Sequence, residues 1–456
     1  MHRLSIIDAG FLMTETPNSP KHVGGVQVLQ LPRGKGPAWL RRLLEDIKAV
    51  PPGFPFNQRL RDDNLLAPAL VTDDHFDIDY HVRHNVLPAP GSDEQLVQTV
   101  ARLHANLLDR ERPLWEFHLI EGLRGRRFAF YTKVHHAIAD GVTFARWFAE
   151  SGSPSASTPD STPLWARNEP PDAHSGQGHM FDRLLQGARS AGSGVRTAID
   201  ISALGARLLQ KSLLQGDRDA VLPLGAGRTA LNVPTGAARN FSICRYPLEE
   251  FKAIAHSQQA SINDFLMALC DLAVNRYLAG HGAAPERPLV ALMPVSLRDK
   301  TSGQGNLISL LQVKLASNHE DLLAVLREVS EASRSTRNIY GNTPREAVQL
   351  YSLAVNLLPL GEEFLHLGRL LPPIVNLVIS NVPGPRQALY FRGAQITEVY
   401  PVNTLPPSVA LSMTVCSYGG TLYFGLIAGR SAIPDLPRLT QYLDEAYAEF
   451  RSLTLG

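Results

Sequence analysis

Cysteine is scarce in this 456-residue chain: Cys244, Cys270 and Cys416 are far apart and odd in number. No CxxC pair or other metal-ligand spacing occurs, which speaks against a disulfide framework or a cysteine zinc site and for a reduced, cytoplasmic compartment. Charge of one sign is also missing. The formal net charge is +1, too little to suggest a strongly electrostatic partner, so no nucleic acid is expected. No run of 18 apolar residues exists. The most apolar tract, Leu353–Ser380, is interrupted by Pro359, Glu362, Glu363, Arg369 and Pro372-Pro373. The first ten residues have neither an apolar core nor a cleavage pattern, so no secretory signal is read there. Neither GxGxxG nor GxxxxGK[ST] is present, which removes support for dinucleotide redox chemistry and nucleotide hydrolysis. No serine sits in a GxSxG elbow, and no cysteine lies near a histidine in sequence.

What is present is a folding composition: 44% apolar and 19% charged residues suit a globular chain with a sizeable core. Strand-like and helix-like periods alternate along both halves, which predicts an α/β fold with mixed sheets in two layers of related size. Strands are expected at His22–Leu31, Phe76–Val86, Arg112–Ile120, Arg127–Val134, Ser242–Pro247, Pro288–Leu297, Leu307–Leu315 and Ile374–Ser380. Val409–Ser417 and Thr421–Ala428 flank Gly419-Gly420, a hairpin signal. Helices are expected at Trp39–Val50, Ser92–Leu108, Val142–Glu150, Leu248–His256, Ser261–Ala279, Asp321–Ser335, Pro344–Leu358 and Leu436–Leu453. Ser92 is placed as an N-cap, and Ser261 with Asp264 as a capping-box-like start.

Composition divides the chain into residues 1–150, 151–230 and 231–456. Ser151–His179 is rich in Ser, Pro, Gly and Asp and reads as a linker or loop. Phe181–Gln215 regains helical spacing, with a leucine stripe and more bases than acids. It is read either as an inter-domain helix or as a surface that lies on a lipid interface. The second reading would allow peripheral attachment at the inner face of a membrane or on a lipid inclusion.

The feature with the most chemistry is His135-His136-Ala137-Ile138-Ala139-Asp140-Gly141, between a strand and a helix. Zinc is disfavoured because adjacent residues on a strand point to opposite faces, and no HExxH or third histidine stands at a usual offset. A histidine near its reference pKa can take and return a proton near neutral pH. Asp140 can hold a loop by hydrogen bonds or an arginine pair, and Gly141 can permit a tight turn. Physical chemistry leaves two readings open here: a catalytic loop, or a satisfied pair in the core.

These seven residues match the HHxxxDG signature of the CoA-dependent acyltransferase superfamily. Further segments resemble one branch of it, the bacterial wax ester synthase/diacylglycerol acyltransferase family. They are Pro20-Lys21-His22-Val23-Gly24-Gly25, Arg112–Gly122 (Arg-Pro-Leu-Trp-Glu-Phe-His-Leu-Ile-Glu-Gly), Asn263-Asp264, Pro294-Val295-Ser296-Leu297-Arg298, Gly305-Asn306 and Ile379–Pro385. They occur in the family's order and span almost the whole chain. The resemblance implies two chloramphenicol-acetyltransferase-like domains with an active-site tunnel between them. It implies that His136 is the general base, His135 its positioning neighbour and Asp140 a loop organiser, with Arg298 as a candidate partner. Gly141 would permit the turn, and Asn263 and Asp264 would sit near the site or support it.

The implied reaction carries a long-chain acyl group from acyl-CoA to a long-chain alcohol, a diacylglycerol or both. It needs no covalent acyl-enzyme, no metal and no cofactor. Two alternatives stay open at this level: a condensation-type acyltransferase using carrier-protein thioesters, and a non-catalytic lipid-binding protein of the same fold. The linker at 151–179, Asn306-Leu307-Ile308 and Ala428-Gly429-Arg430 depart from the family's pattern, which bears on substrate preference more than on reaction type.

Overall fold

The computed structural model describes residues 2–61, 68–157, 161–168, 225–297, 307–317, 319–341 and 371–455. The expected helix at Pro344–Leu358, the segment Phe181–Gln215, Arg298 and Gly305-Asn306 lie outside them. The fold is mixed α/β, as the alternating periods imply, and the described residues form two six-stranded sheets and a small three-stranded one.

The first half opens with β1 (His2–Arg3) and α1 (Ile6–Thr14), whose N-cap Ser5 accepts from the Asp8 amide. Then come β2 (His22–Gln30), α2 (Pro37–Lys48), β3 (Gln58–Leu60) and β4 (Ala69–Thr72). The Phe76–Val86 stretch is not one strand. Asp77 caps a short helix, α3 (Ile78–His81), by accepting from the Asp79 amide, and only Val82–Val86 forms β5. A local side-chain cap outcompetes the alternating pattern there. Helix α4 (Asp93–Ala105) starts in a capping box in which Ser92 and Gln95 satisfy each other's backbone amides. Strands β6 (Trp115–Leu123) and β7 (Arg127–His135) form a hairpin, and α5 (Gly141–Glu150) follows.

The second half contains β8 (Arg239–Pro247), α6 (Leu248–Ser257) and α7 (Ile262–Gly280). Ser261 and Asp264 form a full capping box at the start of α7, and the helix is buried along most of its length. A second buried acid of this helix, Asp271, accepts from the Ala316 amide and lies 3.0 Å from His319 Nε2. Next come β9 (Val290–Leu297), β10 (Leu307–Lys314), α8 (Leu322–Gly341), β11 (Leu377–Val382), β12 (Tyr390–Phe391) and β13 (Ala394–Val402). The chain closes with β14 (Leu411–Tyr418), β15 (Thr421–Gly429) and α9 (Leu436–Leu455). Gly419 and Gly420 both have positive φ, 54° and 82°, as the two-residue turn between β14 and β15 requires.

Sheet order shows how the halves are joined. The second sheet runs β10-β9-β11-β14-β15-β8 and stays within the second half, whereas the first runs β12-β13-β2-β7-β6-β5. Strands β12 and β13 thus cross from late in the chain and cover the edge of β2. No strand was expected between Arg386 and Ser408. The alternation is present in β13, but Glu398 and Pro401 interrupt its apolar reading. Glu398 occupies a buried position because Arg127, Arg245 and Tyr400 all engage its carboxylate, at 3.2, 2.8 and 2.6 Å. A Cβ at Gly425 of β15 would collide with the Pro401 carbonyl oxygen, so glycine lets the two sheets meet at this crossing. The division at 150 and 231 is a proposal about folding units, to which this topology adds two strands that the second half lends to the first sheet.

Candidate active site

The site grows from the register of two strands. His22, the first residue of β2, lies opposite His135, the last of β7. One residue further, the His136 amide donates to the Lys21 carbonyl at 2.7 Å. The chain then turns: the Ile138 amide donates to the His135 carbonyl at 2.8 Å, and the Ala137 amide to His135 Nδ1 at 3.1 Å. Asp140 ends the loop as N-cap of α5, with Oδ1 accepting from the Thr143 amide at 2.7 Å. The amides of residues 136 to 139 are therefore all engaged, and the histidine pair is held at the start of the loop.

The two histidines do face different surroundings. His135 is fully buried. Because its Nδ1 accepts a backbone hydrogen, the ring proton sits on Nε2, which points at Glu15 Oε1 3.4 Å away. That distance is long for a hydrogen bond, and Nε2 has no shorter partner among the described residues. Glu15 is also buried; its Oε1 accepts from the Lys21 amide at 2.9 Å and its Oε2 lies 3.2 Å from Arg110 Nη2. Burial alone would raise the Glu15 carboxyl, but His135, the Lys21 amide and Arg110 outweigh it and hold the group at about 2. Glu15 was not singled out in the sequence; it follows the first helix with no motif around it.

His136 is half-buried and stacks on Phe11 of α1, ring centroids 4.2 Å apart at 29°. Burial pushes its pKa down to about 4, against the opposing pull of Asp140. The imidazole is therefore neutral at pH 7, the form that accepts a proton. Asp140 contributes in two ways, as helix cap and as a nearby negative charge. Its expected arginine partner, Arg298, is outside the described residues. Gly141 does not have a positive φ, and a Cβ there would meet nothing within 4 Å. The turn does not require a glycine at that position; Gly141 instead lines the neighbouring cavity.

Asn263 and Asp264 meet other family segments. Asn381 Nδ2 donates to Asn263 Oδ1 at 2.8 Å, tying the start of α7 to the end of β11. Asp264 is buried, completes the capping box, and lies 3.3 Å from Arg337 Nη2. Ser380 and Val382, on either side of Asn381, line the cavity. Alternation along β11 therefore turns Asn381 away from it, so Asn263 supports a wall strand from behind.

That cavity lies between the halves. It encloses about 790 Å³ of empty space, part of it open to solvent. Val23, Gly24 and Gly25 of β2 form one wall, Phe144 and Phe148 of α5 another, and β11 and β14 the third. A Cβ on Gly25 would come within 3.0 Å of Phe144, so the missing side chain sets how closely α5 approaches. The lining is mostly aliphatic and aromatic, which suits an alkyl chain. Among the described residues, no group of three potential metal ligands comes together.

Comparison with known proteins gives consistent matches over nearly the whole chain. Residues 4–266 match the wax ester synthase/diacylglycerol acyltransferase catalytic domain, and residues 304–451 match the C-terminal domain of the same family. A putative diacylglycerol O-acyltransferase of Mycobacterium tuberculosis is 35% identical, with 98% of each chain covered. The O-acyltransferase WSD of Acinetobacter baylyi is 32% identical over 99% of this chain and 98% of its own. The solved wax ester synthase/diacylglycerol acyltransferase from Marinobacter aquaeolei VT8 superposes with a TM-score of 0.76 at 30% identity, covering 99% of both chains. The first condensation domain of the CDA synthetase gives a TM-score of 0.57 at 18% identity, with 98% and 96% covered, a likeness of fold.

Proposed function

The chain belongs to the wax ester synthase/diacylglycerol acyltransferase family, and from that premise we propose that it transfers a long-chain acyl group from acyl-CoA to a long-chain alcohol, a diacylglycerol or both, with His136 as general base. The observation that carries this reading is a half-buried His136, its pKa lowered by burial, on the loop that runs into Gly141, a residue lining an apolar cavity shared by both halves.

The chemistry follows from the ring's protonation state. The acceptor hydroxyl donates its proton to the neutral imidazole as its oxygen attacks the thioester carbonyl. The tetrahedral intermediate collapses by breaking the C–S bond. CoA leaves as a thiolate and takes the proton back from the imidazolium, so the base is regenerated within one turnover. His135 and Glu15 fix the strand end that carries His136. Asp140 fixes the other side of the loop, and its charge keeps the His136 pKa from falling further. No resident metal or cofactor enters the scheme; acyl-CoA is a substrate.

Nonpolar cavity walls favour aliphatic substrates by burial, about 25 cal/mol per Å² of apolar surface. Because the substrates are lipids, we place the reaction at a lipid surface with the protein attached peripherally. Among the described residues, no helix is long and apolar enough to cross a membrane.

The test is CoA release from palmitoyl-CoA with alcohols of increasing length and with diacylglycerol as acceptors. Release that depends on a long-chain acceptor supports the reading. A trapped acyl-protein or ping-pong kinetics would overturn the direct-transfer mechanism, and no release with any acceptor would overturn the function. Flotation of the full chain with liposomes tests the surface attachment, and failure to float would refute it.

A further inference from the structure

Gln27 is out of keeping with the cavity it lines. It is 4% exposed and belongs to β2, between Phe130 of β7 and Val399 of β13. It shares a strand face with Val23 and Gly25, and all three line the cavity. The other large polar side chains in the lining are engaged. Tyr418 Oη donates to the Ile396 carbonyl, Tyr400 Oη donates to Glu398, and Asn403 Nδ2 reaches Ser412 and Thr414. The Gln27 carboxamide makes no hydrogen bond among the described residues; the small Ser380 hydroxyl is the other lining group in that state. A carboxamide has two donors and two acceptor sites, and burying it unpaired is unfavourable. In the empty cavity, water can serve it. A plain aliphatic chain would displace that water and offer nothing in return.

We propose that Gln27 is a specificity-determining residue that selects lipid chains carrying a hydrogen-bonding oxygen within their aliphatic length over plain chains. The inference rests on the reading of the cavity as a lipid pocket. Gln27 stands five residues along β2 from His22, about 16 Å of strand from the histidine end. The recognised oxygen is therefore remote from the reacting carbonyl. Two sources share this chemistry: a mid-chain hydroxyl or oxo group on the acyl donor, and an ester carbonyl of a diacylglycerol acceptor. A site built to hydrogen-bond a substrate oxygen rejects the analogue that lacks it, because its own polar group is then left unpaired.

The experiment compares the full-length wild type with Gln27→Leu, and with Gln27→Met as a second apolar variant should the first fail to fold. One arm holds hexadecanol constant and compares palmitoyl-CoA with palmitoyl-CoAs hydroxylated at successive positions. The other holds palmitoyl-CoA constant and compares diacylglycerol with hexadecanol. In the wild type, kcat/KM should favour the oxygenated member of at least one arm by roughly ten-fold. In the apolar variants that ratio should fall to about one or below, with plain substrates improved. The arm that responds identifies the source of the oxygen. Ratios unchanged by the substitution in both arms would overturn the role of Gln27 while leaving acyl transfer intact. A wild type that releases no CoA from any donor would overturn the acyltransferase reading and this inference with it.

Discussion

Glu15 and His135 face each other in the interior, Oε1 to Nε2 at 3.4 Å, with both side chains buried. The carboxylate thereby fixes the residue immediately before the proposed base. It does so from a helix end 120 residues earlier in the chain. Replacing Glu15 by Gln keeps the shape and removes the charge. We expect turnover to fall about ten-fold through misplacement of the loop, with a smaller change in KM. The carboxyl is lowered from 4.5 to about 2, so its stabilising contribution is fully present above pH 4.5 and is lost as pH falls toward 2. That contribution is on the order of 3 kcal/mol. Denaturant melts of wild type and Glu15→Gln across pH 2–6 should converge at the acid end; a constant gap would remove the assignment.

His136→Ala should lower kcat by roughly 10²–10⁴-fold with thermal unfolding little changed. Because the ring is held neutral down to about 4, wild-type kcat/KM should be flat through neutrality and decline only as pH approaches 4. A midpoint near 6.5 would show that the ring is not desolvated in the free enzyme.

Asp140 separates cap from charge. Asp140→Ala removes the N-cap of α5 and should destabilise the fold by about 1 kcal/mol. Asp140→Asn keeps a capping oxygen but loses the negative charge that raises His136. The acid limb of kcat/KM should therefore move to lower pH in Asp140→Asn, with stability near that of the wild type. An unmoved limb would confine Asp140 to capping.

Filling the cavity should shorten the accepted chain. Ala145 lies on α5 among the lining residues, and Ala145→Phe places a ring in the space an alkyl chain would use. Long-chain donors should lose kcat/KM by ten-fold or more, while short-chain donors change little. Equal losses at all chain lengths would indicate a general disturbance of α5.

Asn263 and Asn381 should be energetically coupled through their 2.8 Å hydrogen bond. A double-mutant cycle with alanine at each should give about 1 kcal/mol in stability. Additive losses would mean the contact contributes nothing of its own.

The sequence by itself determined what is local. The period of β7, the Ser92 cap of α4, the Ser261–Asp264 capping box and the glycine turn at 419–420 all depend on residues within a few positions of each other, and each formed as read. Strand alternation also sent His135 and His136 to different environments, since neighbouring side chains leave a strand on opposite sides. The ordered motifs identified the family, and with it the reaction class.

Tertiary structure alone decided which groups meet. Nothing near Glu15 marks it as the partner of His135, or Phe11 as the ring that stacks on His136. Those contacts join positions more than a hundred residues apart. Strand β13 was hidden by Glu398, a charge that is tolerable in a buried position only because Arg127 and Arg245, from two other strands, reach it. The cavity and the unpaired Gln27 inside it exist only once β2, α5, β11 and β14 are assembled. Backbone propensity and capping act over a few residues and can be read along the chain. Burial, desolvation and long-range pairing depend on what the folded chain brings alongside.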